Sequence, residues 1–307
     1  MLTSARPLRV AVLSSRRAPG LLHLLDGLHA GCEVVCVVTS EPVFADEAAV
    51  RARGVDVQTH AIAAFYEARS SNVYRDFVTR RAYDRATTEL LDAYHPDLVL
   101  LDGYLYLLTK PMLEAYRNRM LNLHFSDLTL RRNDSRPAYA GIRAVRDAIA
   151  DGQPETSATV HLVNDEPDGG PPLVRSWSFP VSPLVAQARQ WQAPDMVKAY
   201  AYAHQAWRIR GASGPLLAAA LRLIAEERVD LDVLGAADAA HERPWLVDEQ
   251  GRLTPPAATR MHDILTGYKR APRRGQMHIS NRDPRAHTAE PDIAGQSSTS
   301  GTLQSAI

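Results

Sequence analysis

Asn122 and His124, in the stretch Leu121-Asn122-Leu123-His124-Phe125, and the later run Asp165-Glu166-Pro167-Asp168-Gly169-Gly170 bring together an amide, an imidazole and carboxylates. That set suits acyl transfer. An amide N–H can meet a developing oxyanion, an imidazole can carry a proton, and a carboxylate can hold the imidazole. From Met120 to Phe125 apolar and polar residues alternate, so an extended strand points Asn122 and His124 to one side and Leu121 and Leu123 to the other. A central parallel strand is normally apolar on both faces, and polar side chains there are costly unless hydrogen-bonded. Ligands of open α/β sheets bind at the carboxyl ends of strands. A satisfied core pair or a solvent-facing strand end explains the same two residues. The Asp165 to Gly170 run follows a strand-like segment at residues 158–163, and its glycines permit positive φ and close backbone approach. A plain surface turn uses the same residue types.

These residues need a scaffold, and the pattern supplies one. Residues 8–14, 33–39, 55–59, 97–102 and 120–124 read as strands, and 21–29, 46–53, 72–94 and 139–150 as helices. Alternation of this kind predicts an α/β fold, a mainly parallel sheet with helices on both faces. Residues 156–164 and 172–180 read as two further strands around the acidic loop. A helix from Pro194 carries Met196, Tyr200, Ala203 and Trp207 at helical spacing, a packing stripe. The sequence Gly211-Ala212-Ser213-Gly214-Pro215 is expected to kink or break it before residues 216–228 resume.

The 35 basic and 35 acidic residues cancel, which offers no electrostatic ground for nucleic acid or an anionic membrane. No apolar run reaches membrane-spanning length and no signal-peptide core precedes the first strand, so a cytoplasmic location is expected. The histidines are scattered, without HExxH or paired cysteines at zinc spacing, and no metal is expected. Cys32 and Cys36 sit too far apart along one extended segment to pair, and read as buried free thiols. Trp245 to Leu253 looks like a small hairpin with Gly251 in its turn. From about Ala271 the chain is polar and reads as a disordered tail, with Lys269, Arg270, Arg273 and Arg274 as a solvated basic cluster. The expected organisation is a catalytic domain over 1–228, an extension over 229–270 and the tail over 271–307.

Asn-x-His on a strand, followed by an Asp before Gly-Gly, resembles the formyltetrahydrofolate-dependent formyltransferases, and within them the glycinamide ribonucleotide transformylase branch. The resemblance runs from residue 8 to about 228. Its spacing from Leu108 to Asn122 matches the family without a gap. It implies a Rossmann-like formyltransferase fold with a C-terminal helical extension, and an enzyme moving a formyl group from 10-formyltetrahydrofolate to a small-molecule amine. Asn122, His124 and Asp168 would be catalytic, with Asp168 keeping His124 charged. Tyr104, Leu105, Tyr106, Leu107 and Leu108, with Asp165, Glu166, Asp168 and Gly169, would hold the folate.

Where that branch carries a glycine-rich phosphate loop after the first strand, this chain has Ser14-Ser15-Arg16-Arg17-Ala18-Pro19-Gly20. Ser14, Arg16 and Arg17 are candidate substrate contacts, the arginines neutralising a phosphate through their side chains; two exposed loop arginines are the alternative. The segment between His124 and Tyr139 is also longer than in that branch, which leaves the acceptor open: glycinamide ribonucleotide, or another amine such as a specialised-metabolism precursor. A formyltetrahydrofolate hydrolase and a non-catalytic folate-binding protein are the competing readings. The oligomeric state is open, a homodimer among the options.

Overall fold

The computed structural model describes residues 6–27, 31–72 and 76–256. In chain order its elements begin with β1 (Leu8–Ser14), α1 (Leu21–Gly27), β2 (Cys32–Thr39), α2 (Glu47–Arg51), β3 (Asp56–Thr59), α3 (Ile62–Glu67) and α4 (Phe77–Asp92). The centre follows with β4 (Leu98–Leu101), α5 (Lys110–Ala115), β5 (Met120–His124), α6 (Ala144–Ala150), β6 (Glu155–Thr156), β7 (Thr159–Leu162), β8 (Pro172–Ser176) and β9 (Phe179–Pro180). Last come α7 (Leu184–Gln190), α8 (Pro194–Ala225), α9 (Leu231–Ala236), β10 (Trp245–Val247) and β11 (Leu253–Thr254).

Nine strands form one sheet in the order β11-β10-β8-β7-β5-β4-β1-β2-β3, while β6 and β9 pair separately. The half from β5 through β4, β1 and β2 to β3 is parallel, and β7 runs antiparallel to both β5 and β8. Strand alternation divides the core into two layers. Val10, Val12, Leu100, Leu121 and Leu123 pack with Leu21, Leu24, Leu216 and Leu217 of α1 and α8. On the other face Ala11, Leu13, Val99 and Leu101 pack with Leu91 of α4 and Met112 of α5. Burial pushes the thiols of Cys32 and Cys36 up to about 11 and about 12, so both are inert at neutral pH.

Several expectations are corrected. The helix from Pro194 does not break at Gly211 to Pro215; α8 runs unbroken to Ala225 with Pro215 inside it. A proline in a helix interior costs ~3 kcal/mol. Burying Leu216, Leu217, Leu221 and Leu223 completely, each worth about 1.5–3 kcal/mol, outweighs that. The small residues there serve close contact, since a Cβ on Gly214 would meet the His23 ring at 2.3 Å. The strand expected over 156–164 is two pieces, β6 and β7, and that over 172–180 is likewise β8 and β9. The helix expected from Tyr139 starts only at Ala144, because Gly141 takes φ +76° and breaks the local helical path. The helix expected from 72 begins at Phe77, where Asp76 caps it by accepting from the N–H groups of Val78 and Thr79. The hairpin at 245–254 forms with Gly251 at φ +75°, and β10 adds to the edge of β8. The tail over 271–307 and the basic cluster at 269–274 lie outside the described residues.

Candidate active site

Strand β5 places Asn122 and His124 on one face, as their alternation with Leu121 and Leu123 requires. Asn122 stands opposite His161 of the antiparallel neighbour β7, and its Nδ2 lies 3.1 Å from His161 Nε2. His161 Nδ1 is 3.0 Å from the Leu162 carbonyl, which can only accept. The proton therefore sits on Nδ1, and Nε2 offers its lone pair to the Asn122 amide. One amide hydrogen of Asn122 is fixed in this way, leaving the other for a ligand. His161 was not among the residues singled out from sequence, since only the β5–β7 register brings it opposite Asn122.

His124 is 9% exposed and lies between two acceptors: its Nε2 is 3.3 Å from the Tyr139 carbonyl and its Nδ1 3.3 Å from Asp168 Oδ1. A neutral ring can donate to only one of them, and an imidazolium to both. Burial nonetheless pushes the imidazole below its ordinary value, with Asp168 pulling the other way. The expectation that Asp168 keeps His124 charged thus meets a larger opposing effect. The result is a ring that rests towards neutral with a proton-ready geometry. Asp168 also sits 3.8 Å from His161 Nε2, and its second oxygen accepts from Gly141 N–H at 2.7 Å. Within the acidic turn it is Asp168, at φ +57°, that takes the left-handed conformation expected of a glycine. The glycines serve close approach instead: a Cβ on Gly170 would lie 1.8 Å from the Leu162 carbonyl. We expect Asp168→Asn to lower the His124 pKa further, because it removes the main raising influence. An NMR titration unchanged by the substitution would show that the two groups do not couple.

The loop after β4 carries Tyr104 to Leu108. Leu105 and Leu107 are 57% and 60% exposed, so this loop presents apolar side chains to solvent. Helix α4 fixes it. Arg80 donates from Nε and Nη2 to the Leu107 carbonyl at 2.9 and 2.7 Å and from Nη2 to the Tyr104 hydroxyl at 2.8 Å. Asp84 accepts from both N–H and hydroxyl of Thr109 at 2.6 Å, and pairs with Arg80 at 2.9 Å. Neither charge was singled out from sequence, although a signal existed: Arg80 and Asp84 share the buried 3–4 stripe of Tyr83, Thr87 and Leu91. Tyr106 donates to Glu41 at 2.6 Å, while Asp165 and Glu166 are exposed on the turn that carries Asp168 and Gly169. Ser14 is buried and donates to the Arg17 carbonyl, and Arg16 and Arg17 are exposed on the loop after β1.

Burial pushes His60, His161 and His204 each down to about 4. Their unfolded value is near 6.5, so between about 4 and 6.5 the unfolded chain binds more protons and stability falls as pH drops through that window. Asp102, raised by burial to about 7, acts in the opposite sense between about 4 and 7. His124 is pushed down as well and Asp84 up, so four histidines stand against two carboxyls and predict a net loss: the urea midpoint should fall between pH 7 and 4.5. A flat profile would count against neutral buried histidines. Among the described residues no cluster of His, Cys, Asp and Glu could hold a metal, and no helix is long and apolar enough to cross a membrane.

A sequence profile described as formyl transferase matches residues 8–188. Phosphoribosylglycinamide formyltransferase of Escherichia coli strain K12 is 34% identical over 126 residues, 41% of this chain and 51% of that protein. Formyltetrahydrofolate deformylase of the same strain is 28% identical over 178 residues, 54% of this chain and 58% of that protein. The matched segments thus span little more than half the length of these relatives. The crystal structure of glycinamide ribonucleotide transformylase 1 from Symbiobacterium toebii superposes with a TM-score of 0.55 at 29% identity, covering 73% of this chain and 90% of that one.

Proposed function

The chain belongs to the formyl transferase family, and we propose that it moves the formyl group of 10-formyltetrahydrofolate onto the amine of a small molecule, glycinamide ribonucleotide or a related amine. The observation that carries this reading is the convergence of Asn122, His124 and Asp168 at the end of β5, with Asn122 oriented by His161. Leu105 and Leu107, exposed on the loop, with the backbone of 104–108, are the proposed apolar contacts for the pterin, and the turn at Asp165, Glu166, Asp168 and Gly169 the proposed polar ones.

When the amine attacks the formyl carbon, charge grows on the formyl oxygen. The free amide hydrogen of Asn122 stabilises it, most effectively where water is excluded. The amine must then lose a proton and the folate nitrogen must gain one. His124, resting towards neutral between two acceptors, can take the first and return the second, while Asp168 stabilises the transient imidazolium. Arg16 and Arg17 are the proposed contacts for an acceptor phosphate. Residues 1–228 form the proposed catalytic domain, with 229–270 as an extension, and the proposed location is cytoplasmic.

The deformylase relative motivates a second reading, in which water replaces the amine. One experiment separates them. The chain is incubated with 10-formyltetrahydrofolate and a panel of amines, following tetrahydrofolate by absorbance and formylated product by mass spectrometry. Release that requires an amine supports transfer, release without one supports hydrolysis, and no release under either condition leaves a folate-binding protein.

A further inference from the structure

A cavity of about 760 Å³ beyond the end of β5 is lined by Phe125, Ser126 and Tyr139 but by none of Asn122, His124 or Asp168. Five arginines line it: Arg131, Arg132, Arg175, Arg208 and Arg243. The carboxylates in the lining are Asp127, already engaged by Arg175 at 2.5 Å, and Glu155, while Glu166 and Asp238 act on Arg131 from outside it. An excess of three positive charges in one concave space is unusual in a chain whose net charge is zero.

Arg208 is the decisive residue. It projects from α8, is fully buried, and has no carboxylate within ion-pair distance among the described residues. Its Nη1 donates to the Phe125 carbonyl at 3.0 Å and its Nη2 to the Ser157 carbonyl, which fixes the guanidinium plane. Burial pushes this guanidinium down to about 9, so it remains protonated at neutral pH. A buried cation without a counter-charge is strongly disfavoured, and buried donors without acceptors add to the cost. Three such donors or hydroxyls belong to residues that line this cavity: Arg208 Nε, Arg175 Nε and Ser157 Oγ. An anion seated in the cavity would offset the unbalanced positive charge of its lining, Arg208 included.

We propose that this cavity is an anion site that takes the phosphoryl group of a small molecule. Arg208 and Arg175 supply charge-assisted donors, Ser157 a hydroxyl, and Arg131, Arg132 and Arg243 the surrounding positive field. Phosphate fits better than a carboxylate because it brings up to two negative charges to the charge excess and more acceptor oxygens to the arginines that line the cavity. The volume leaves room for the rest of a phosphorylated metabolite. None of Asn122, His124, Asp168, Arg16 and Arg17 lines the cavity, although Tyr139, whose carbonyl faces His124, does.

Calorimetric titration of the full chain with inorganic phosphate at constant ionic strength tests the site, with acetate as the second arm. Phosphate should bind once and raise the melting temperature, and acetate should bind at least about tenfold more weakly. Arg208→Met should weaken phosphate about tenfold or more, Arg208→Lys less, and Arg16→Ala/Arg17→Ala not at all. If Arg208→Met does not fold, Ser157→Ala and the exposed Arg243→Ala give the same reading through smaller losses. Equal affinity for acetate, phosphate binding unchanged in Arg208→Met or in both substitute variants, or loss of binding in Arg16→Ala/Arg17→Ala alone overturns the proposal. Because the readout needs neither folate nor turnover, it stands or fails independently of formyl transfer.

Discussion

Replacing His124 or Asn122 with alanine is expected to lower turnover by about 10²-fold or more while leaving folate affinity nearly intact. In the proposed reaction both side chains act on charge and protons that appear only in the transition state, so their loss falls on kcat rather than on binding. His161→Ala extends the test without touching the substrate. It removes the lone pair that fixes one amide hydrogen of Asn122 at 3.1 Å, and should cost a smaller factor in kcat with the same KM for folate. Steady-state kinetics over both substrates decides the matter. Full activity in His124→Ala or Asn122→Ala would remove them from the chemistry, and a rise in KM alone would make them binding residues.

The second large effect is on stability. Arg80 and Asp84 have side chains 7% and 0% exposed and lie 2.9 Å apart. Burial raises the Asp84 carboxyl, with Arg80 and the Thr109 bonds opposing. Arg80→Met leaves that carboxylate without its counter-charge and the Leu107 carbonyl without its donors. Breaking a buried pair from one side costs about 3–5 kcal/mol. Denaturant unfolding should show a loss of that order, and the KM for folate should rise as the 104–109 loop loosens. Asp84→Asn, which keeps the shape and can still accept from Thr109, should cost less. A loss of stability with unchanged folate KM would confine the pair to a structural role. A loss under about 1 kcal/mol would mean that the interior tolerates the lone carboxylate, against the usual cost of an unpaired buried charge.

Local pattern carried much of this protein. β1 and β5 lie at the residues that alternation and apolar runs predict, because a strand buried on both sides leaves its signature in every residue. The same alternation puts Asn122 and His124 on one face, a purely local consequence of strand geometry. What failed was whatever depended on distant partners. The run from Gly211 to Pro215 reads as a kink or a break, yet α8 continues through it because packing against α1 and the sheet repays a proline and two glycines. Tyr139 and Gly141 read as helix, yet they form the loop that caps His124 and Asp168.

The site divides along the same line. The residue types for oxyanion and proton chemistry were legible in Asn122, His124 and Asp168. Their electrostatic state was not, because desolvation of His124 comes from elements far along the chain, and no local motif records it. His161 became a partner of Asn122 only through the β5–β7 register, and Arg80 and Asp84 came to hold the 104–109 loop only through the packing of α4. Arg208 and Arg175 are 33 residues apart and were unremarkable in sequence; folding brought them to one cavity. Sequence alone determined which residue types are available for the proposed chemistry and which share a strand face, since side-chain identity and strand period are local. Tertiary structure decided how each group is charged, oriented and partnered, since those depend on burial and on neighbours that only folding brings within a few ångströms.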